Sequence, residues 1–119
     1  MPDPETLETW LQRLAHGDRS AFEPAYRAIW PAAQRLAVRM TGSHNDADDI
    51  AQEALRKILL RAADYEAGRP AMPWALAIVY WECRTALRRQ ARRRELPGDG
   101  LDRSDDGAAE QRLIERELL

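Results

Sequence analysis

The sequence predicts an all-α protein: a compact bundle of four main helices followed by a short helix in the C-terminal tail. Three observations carry that prediction. Apolar residues recur at i, i+3, i+4 and i+7 along most of the chain, no segment alternates with the period of a strand, and capping and stop residues fall at helical intervals. At 119 residues the chain is one domain's worth, enough for a single core. Hydrophobic residues are 45% and charged residues 32%, a balance that fits neither a disordered tail nor a membrane span. The longest wholly apolar run, Trp74 to Trp81, is eight residues, too short to cross a bilayer.

The first helix is expected to be capped by Asp3, with Pro4 at its first position and Glu5 and Glu8 favoured by the dipole. Leu7, Trp10, Leu11 and Leu14 form its apolar face, and Gly17 stops it. A second helix is expected from Ser20, where Ser20 and Glu23 have capping-box spacing. Its stripe is Phe22, Tyr26, Ile29, Ala33, Leu36, Ala37 and Met40. Pro24 and Pro31 each delete a donor and predict a kink near Trp30.

After a polar loop, Ser43 to Asp46, a third helix carries Asp46, Asp48 and Asp49 in its N-terminal turn. Ile50, Ala54, Leu55, Ile58 and Ala62 face inward, leaving Gln52, Glu53, Arg56 and Lys57 mostly outward. Gly68 to Pro70 breaks the chain. A fourth helix is expected from Pro73 to about Glu95, apolar in its first half and arginine-rich in its second. A polar linker then leads to an amphipathic tail, Ala108 to Leu119, with Leu113, Ile114 and Leu118 as its apolar side. The organisation is a helical domain over 1–95 and an acidic linker and tail over 96–119.

The formal charge of −2 conceals a segregation of signs. Residues 1–83 carry 9 basic and 12 acidic side chains, residues 84–94 six arginines and no acid, and residues 95–119 3 basic and 8 acidic. A +6 block therefore precedes a −5 tail, and the block calls for an anionic partner. Arg84, Arg88 and Arg92 recur at i, i+4 and i+8, with Arg89 and Arg93 on the adjoining stripe. Like charges at that spacing destabilise a helix by about 0.2–0.5 kcal/mol per pair. The C-terminal dipole returns about 0.3–1 kcal/mol, so helix stability alone does not account for six arginines. Guanidinium forks match phosphate oxygens, which makes phosphate contact the better reading. Trp74, Tyr80, Trp81 and Tyr65 adjoin the block, and aromatic faces beside arginines suit single-stranded nucleic acid.

Other chemistries lack support. Asp49 and Glu53 could share a cation, but no second helix offers a matching ligand pair, so no metal or other cofactor is expected. Cys83 lies in an apolar helix with no histidine near it in sequence, and as the single cysteine it excludes an internal disulfide. Glycine-rich phosphate loops are absent. The chain is not expected to be an enzyme. Its acidic N-terminus has no apolar signal core, so a cytoplasmic location without membrane attachment is expected.

Asp46-Ala-Asp-Asp-Ile-Ala-Gln-Glu53, then Pro73-Trp-Ala-Leu-Ala-Ile78 and then Arg88-Arg89 form a recognisable order. With Gly17-Asp-Arg-Ser-Ala-Phe-Glu-Pro-Ala-Tyr26 and Ala37-Val-Arg-Met-Thr-Gly42 upstream, the chain resembles the N-terminal (region 2) domain of bacterial extracytoplasmic-function sigma factors, over about residues 7–95. The resemblance implies a promoter-recognition subunit of RNA polymerase. It assigns docking on the clamp helices of the largest subunit to Asp49, Gln52, Glu53 and Arg56. It assigns opening of the −10 promoter element, and capture of its non-template strand, to the next helix and the loop before it. Arg84, Arg88, Arg89, Arg92 and Arg93 match the basic part of that helix, Trp81 lies beside its DNA-facing surface, and Arg69 lies in the loop Glu66 to Met72 where the family captures an unstacked base.

Two departures from the family pattern stand out. Trp81 and Thr85 replace a usual Asn and Asp, and the family's second domain, a helix-turn-helix, does not follow within this sequence. They motivate an alternative: a sigma-like decoy or helical adaptor that binds an anti-sigma factor or other regulatory protein without binding DNA.

Overall fold

A computed structural model of the chain describes residues 5–94 and 106–118. Among the described residues five α-helices run in order: α1 Leu7–Ala15, α2 Phe22–Thr41, α3 His44–Leu60, α4 Ala71–Arg93 and α5 Asp106–Leu118. Short 3-10 turns at Arg19–Ala21 and Ala62–Asp64 join α1 to α2 and lead out of α3. The described residues contain no strand, and the class is all-α.

Local chemistry sets the helix ends, and several differ from expectation. Thr6 caps α1, its hydroxyl accepting from the Thr9 N–H at 3.2 Å, whereas Asp3 and Pro4 lie outside the described residues. The capping box expected at Ser20 and Glu23 does not form. Asp18 is the local cap instead, accepting from the Ser20 N–H at 3.0 Å and the Ser20 hydroxyl at 2.6 Å. Those two bonds hold its carboxyl below the usual carboxylate range. Glu23 turns to Arg27, 2.5 Å away.

Helix α2 runs from Phe22 through Pro31 to Thr41. Pro24 sits in its first turn, where the N–H has no intrahelical partner anyway, so only Pro31 deletes an interior bond. Gly42 ends α2 in the left-handed region, at φ 73°, with its N–H on the Val38 carbonyl. The stretch expected to be a loop after Gly42 is already helix, because the Ser43 hydroxyl caps α3 by accepting from the Asp46 N–H. Helix α4 starts at Ala71, two residues before the expected Pro73; the expected end at Glu95 lies outside the described residues.

The core sits among α2, α3 and α4. Ile29, Leu36, Leu55, Ile58, Leu76, Val79 and Cys83 are fully buried there, with small alanines such as Ala33, Ala51 and Ala75 letting the helices approach closely. Leu7 and Leu11 bring α1 onto this core, and Ile114 brings α5. Phe22, expected on the inner stripe of α2, is instead 49% exposed and heads an aromatic stack with Tyr26 and Trp30.

Helix α5 packs against both α2 and α4. Its Glu117 side chain is only 3% exposed and meets Arg35 Nε at 2.8 Å and Arg39 Nη1 at 2.6 Å. The tail's acidic charge therefore reaches arginines of α2, which the sequence pattern had not singled out. No helix of the described residues is long and apolar enough to cross a membrane.

Candidate polymerase and nucleic-acid interfaces

Helix α3 presents one charged face. Ala47, Ala51, Ala54, Leu55 and Ile58 turn inward, which leaves Asp49, Gln52, Glu53 and Arg56 exposed on the opposite side, as the 3.6-residue period requires. Arg56 makes a two-pronged contact with Glu53, Nη2 to Oε1 at 2.6 Å and Nε to Oε2 at 3.0 Å. The hydrogen bonds hold the Glu53 carboxyl below its usual range and raise the Arg56 guanidinium. Leu60, 72% exposed, continues the same stripe one turn beyond Arg56. It escapes sequence reasoning because one leucine at a helix end looks like core; its eleven-residue offset from Asp49 is the signal that places it outside.

Helix α4 divides by depth. Leu76, Val79, Tyr80 and Cys83 are buried, while Trp81 is 42% exposed with its ring edge-on to Tyr80 at 5.3 Å between centroids. Thr85 is exposed and returns its hydroxyl to the Trp81 carbonyl. Arg89, Arg92 and Arg93 are exposed and Arg88 is half-buried. Arg84 corrects the expectation of a single surface block: at 7% exposure it belongs to the interior, with its Nε shut away from solvent. The inward stripe of Leu76, Val79, Tyr80 and Cys83 extends one residue further before the bundle ends, and Arg84 falls on it. Of the expected block, Arg88, Arg89, Arg92 and Arg93 are left at or near the surface.

The loop before α4 is held closed from two sides. The Tyr65 hydroxyl donates to the Arg69 carbonyl, and the Glu8 carboxylate of α1 accepts from the Ala71 N–H at 2.9 Å. Pro70, at the cap position, gives α4 no side-chain hydrogen bond, so Glu8 serves an amide that would otherwise lack a partner. Burial, aided by the Glu8 charge, pushes the Tyr65 phenol upward. These contacts frame an open pocket of about 430 Å³ lined by Asp64, Tyr65, Glu66, Arg69, Pro70, Pro73 and Trp74. Tyr65 and Trp74 form its aromatic wall, their rings 5.5 Å apart and tilted by 59°. Arg69 is exposed at the rim and paired with Glu66 at 2.6 Å.

Among the described residues no three His, Cys, Asp or Glu side chains converge in a way that could hold a metal ion. Cys83 is fully buried, and desolvation with the neighbouring Glu82 charge pushes its thiol up to about 12, which leaves almost no thiolate at neutral pH.

A family model described as Sigma-70 region 2 matches residues 25–93, more than half of the chain. The chain belongs to the sigma-70 region 2 family. The match takes in α3, the pocket and α4, so the surfaces just described all lie within the family's span, whereas α1 and α5 flank it. Members of this family are non-enzymatic initiation factors that work with core RNA polymerase and −10 promoter DNA. No curated protein and no solved structure matches the chain.

Proposed function

We propose that this sigma region 2 domain, of the extracytoplasmic-function type, docks on the clamp helices of core RNA polymerase through α3 and captures the opened non-template strand of the −10 element along α4. The polymerase contacts are Asp49, Gln52, Glu53 and Arg56, with Leu60 as an apolar anchor at the end of the stripe. The DNA contacts are Arg69, Trp81, Arg88, Arg89, Arg92 and Arg93; Arg84 supports them from within. The work is done in the bacterial cytoplasm, where the polymerase is.

The observation that carries this reading is a track on α4. Residues seven and eleven apart share a helix face, so Trp74, Trp81, Arg88 and Arg92 lie along one stripe. Between Trp74 and Arg88 that stripe is about 21 Å long at 1.5 Å per residue. It begins at the aromatic pocket, passes the exposed Trp81 ring and ends among guanidinium groups. A base in the pocket, a base against Trp81 and phosphates on the arginines would together offset the loss of duplex stacking, each stacked base contributing about 1–3 kcal/mol. Opening the promoter needs no bond chemistry from this chain.

The test is anisotropy of a labelled single-stranded −10-like oligonucleotide titrated across a salt series, with and without core polymerase. Binding should weaken steeply with salt and tighten when polymerase is present. Gln52→Ala with Glu53→Ala should abolish polymerase binding while the helical signal stays intact. Unchanged polymerase binding by that double variant would sink the assigned interface.

A second reading, a module that binds a regulatory protein such as an anti-sigma factor, draws on one observation. Phe22, Tyr26 and Trp30 form an aromatic stack on α2, 6.3 and 5.8 Å between successive centroids, with Phe22 half exposed and on a different helix from the proposed DNA track. Loss of an anti-sigma complex on Phe22→Ser, with DNA binding retained, would support it.

A further inference from the structure

Arg35 and Arg39 stand one turn apart on α2 and close on a single carboxylate. Each takes one oxygen of Glu117, Nε on Oε2 at 2.8 Å and Nη1 on Oε1 at 2.6 Å. Glu117 has given up nearly all its water, whereas Arg35 is about half exposed and Arg39 about a third. A carboxylate so desolvated is held by charge-assisted bonds from two sides, and the two guanidinium groups keep further N–H donors toward solvent. Two donors aimed at two oxygens of one anion fit a phosphodiester as well as they fit a carboxylate.

The group now in the clamp arrives on a helix built to leave. Helix α5 has 13 residues, a length at which an isolated helix is marginal in water. It is held by Ile114, its buried apolar residue, by half-buried Leu113 and by Glu117 itself. It rests on α2 and α4 at once, between the helix of the clamp and the helix of the arginine track. Neither Arg35, Arg39 nor α5 belongs to the surfaces assigned above.

We infer that Arg35 and Arg39 form an additional phosphate-binding clamp for promoter DNA, and that Glu117 on α5 is its internal competitor. This rests on the reading of the domain as a DNA-binding sigma region. While α5 is docked, Glu117 occupies the clamp and withholds two cations from the DNA. When α5 lifts away, a backbone phosphate replaces the carboxylate and the cationic surface grows from α4 onto α2. DNA binding and α5 docking exclude each other at this one point, so each weakens the other by the same factor.

The experiment uses the full chain and the labelled oligonucleotide in the same salt series. Glu117→Gln removes the competing charge, and Ile114→Ser loosens the helix without touching the charge; hydrogen exchange of the α5 amides reports its release. Each variant should raise affinity at low salt by about 3–10-fold. The logarithmic salt slope should steepen by about 0.7, the value for one more phosphate neutralised on a single strand. Adding Arg35→Gln and Arg39→Gln to Glu117→Gln should erase both gains. Unchanged affinity and slope in Glu117→Gln, or gains that survive loss of both arginines, would overturn the clamp while leaving the wild-type salt dependence, and with it the sigma reading, in place. Tighter polymerase binding without any change toward DNA would mean that the clamp takes a protein carboxylate, and would also overturn it. Absence of salt-dependent DNA binding in every form, wild type included, would remove both readings together.

Discussion

The ammonium of Lys57 on α3 stands 2.6 Å from Oε1 of Glu82 on α4, and both side chains are largely withdrawn from water. Lys57 follows Arg56 on the helix proposed to dock on polymerase, and Glu82 follows Trp81 on the helix proposed to hold DNA. The pair therefore fixes the two proposed interfaces relative to each other. Exposed ion pairs contribute about 0.2–1 kcal/mol, and partial burial puts this one at the upper end. A double-mutant cycle with Lys57→Met and Glu82→Gln should give a coupling of about 1 kcal/mol in urea denaturation. Strictly additive effects would show that the contact contributes nothing.

Arg84 and Arg92 should separate cleanly although both belong to the arginine run. Arg84→Ala removes a buried side chain and should cost about 1–3 kcal/mol of stability. Arg92→Ala, at an exposed position, should leave the melting temperature nearly unchanged and lower the salt slope of oligonucleotide binding by about 0.7. The reverse pattern would return Arg84 to the surface block.

The Cys83 thiol gives a pH prediction with a definite sign. Its folded value lies near 12 against an ordinary 9.0. Below about pH 9 both folded and unfolded thiols stay protonated and the contribution is fully present. Above it the unfolded chain ionises first, so stability should fall by about 1.4 kcal/mol per pH unit until the folded value is reached. Cys83→Ala should flatten that alkaline limb. In the native protein the thiol should resist a thiol-reactive dye at neutral pH and react at once in denaturant.

Leu60 should behave as an interface residue and not as a core residue. Leu60→Ser should change stability by no more than about 0.5 kcal/mol, since so much of the side chain already faces water. Polymerase affinity, measured by competition for the core enzyme, should drop by about 10-fold. A large loss of stability would place Leu60 in the core after all.

What could be read from the sequence was whatever repeats at helical spacing. The outward face of α3 follows from the period of Ile50, Ala54, Leu55 and Ile58 alone, and the helix count follows from similar stripes. Cap identity was less legible because good capping residues crowd together. Thr6 competes with Asp3, Asp18 with Ser20, and only tertiary context selects among them. Arg84 reads as a surface residue because an i, i+4 row of arginines gives no sign of where the bundle's inner stripe ends. The longest-range contacts left no local trace: Glu8 to Ala71 spans 63 residues and Arg35 to Glu117 spans 82. No pattern within one helix predicts either.

The Glu8 to Ala71 bond carries a consequence for how the domain assembles. The first turn of α4 and the pocket beside it borrow an acceptor from a helix 63 residues earlier in the chain, so local propensity cannot complete them. The entropy of closing so long a loop is lost before the bond returns anything. The pocket is thus expected to close late in folding, and a fragment cut to the family's span of 25–93 would hold the residues that line it yet lack the group that tethers α4 from outside. Such a fragment would be an incompletely latched version of the same machine.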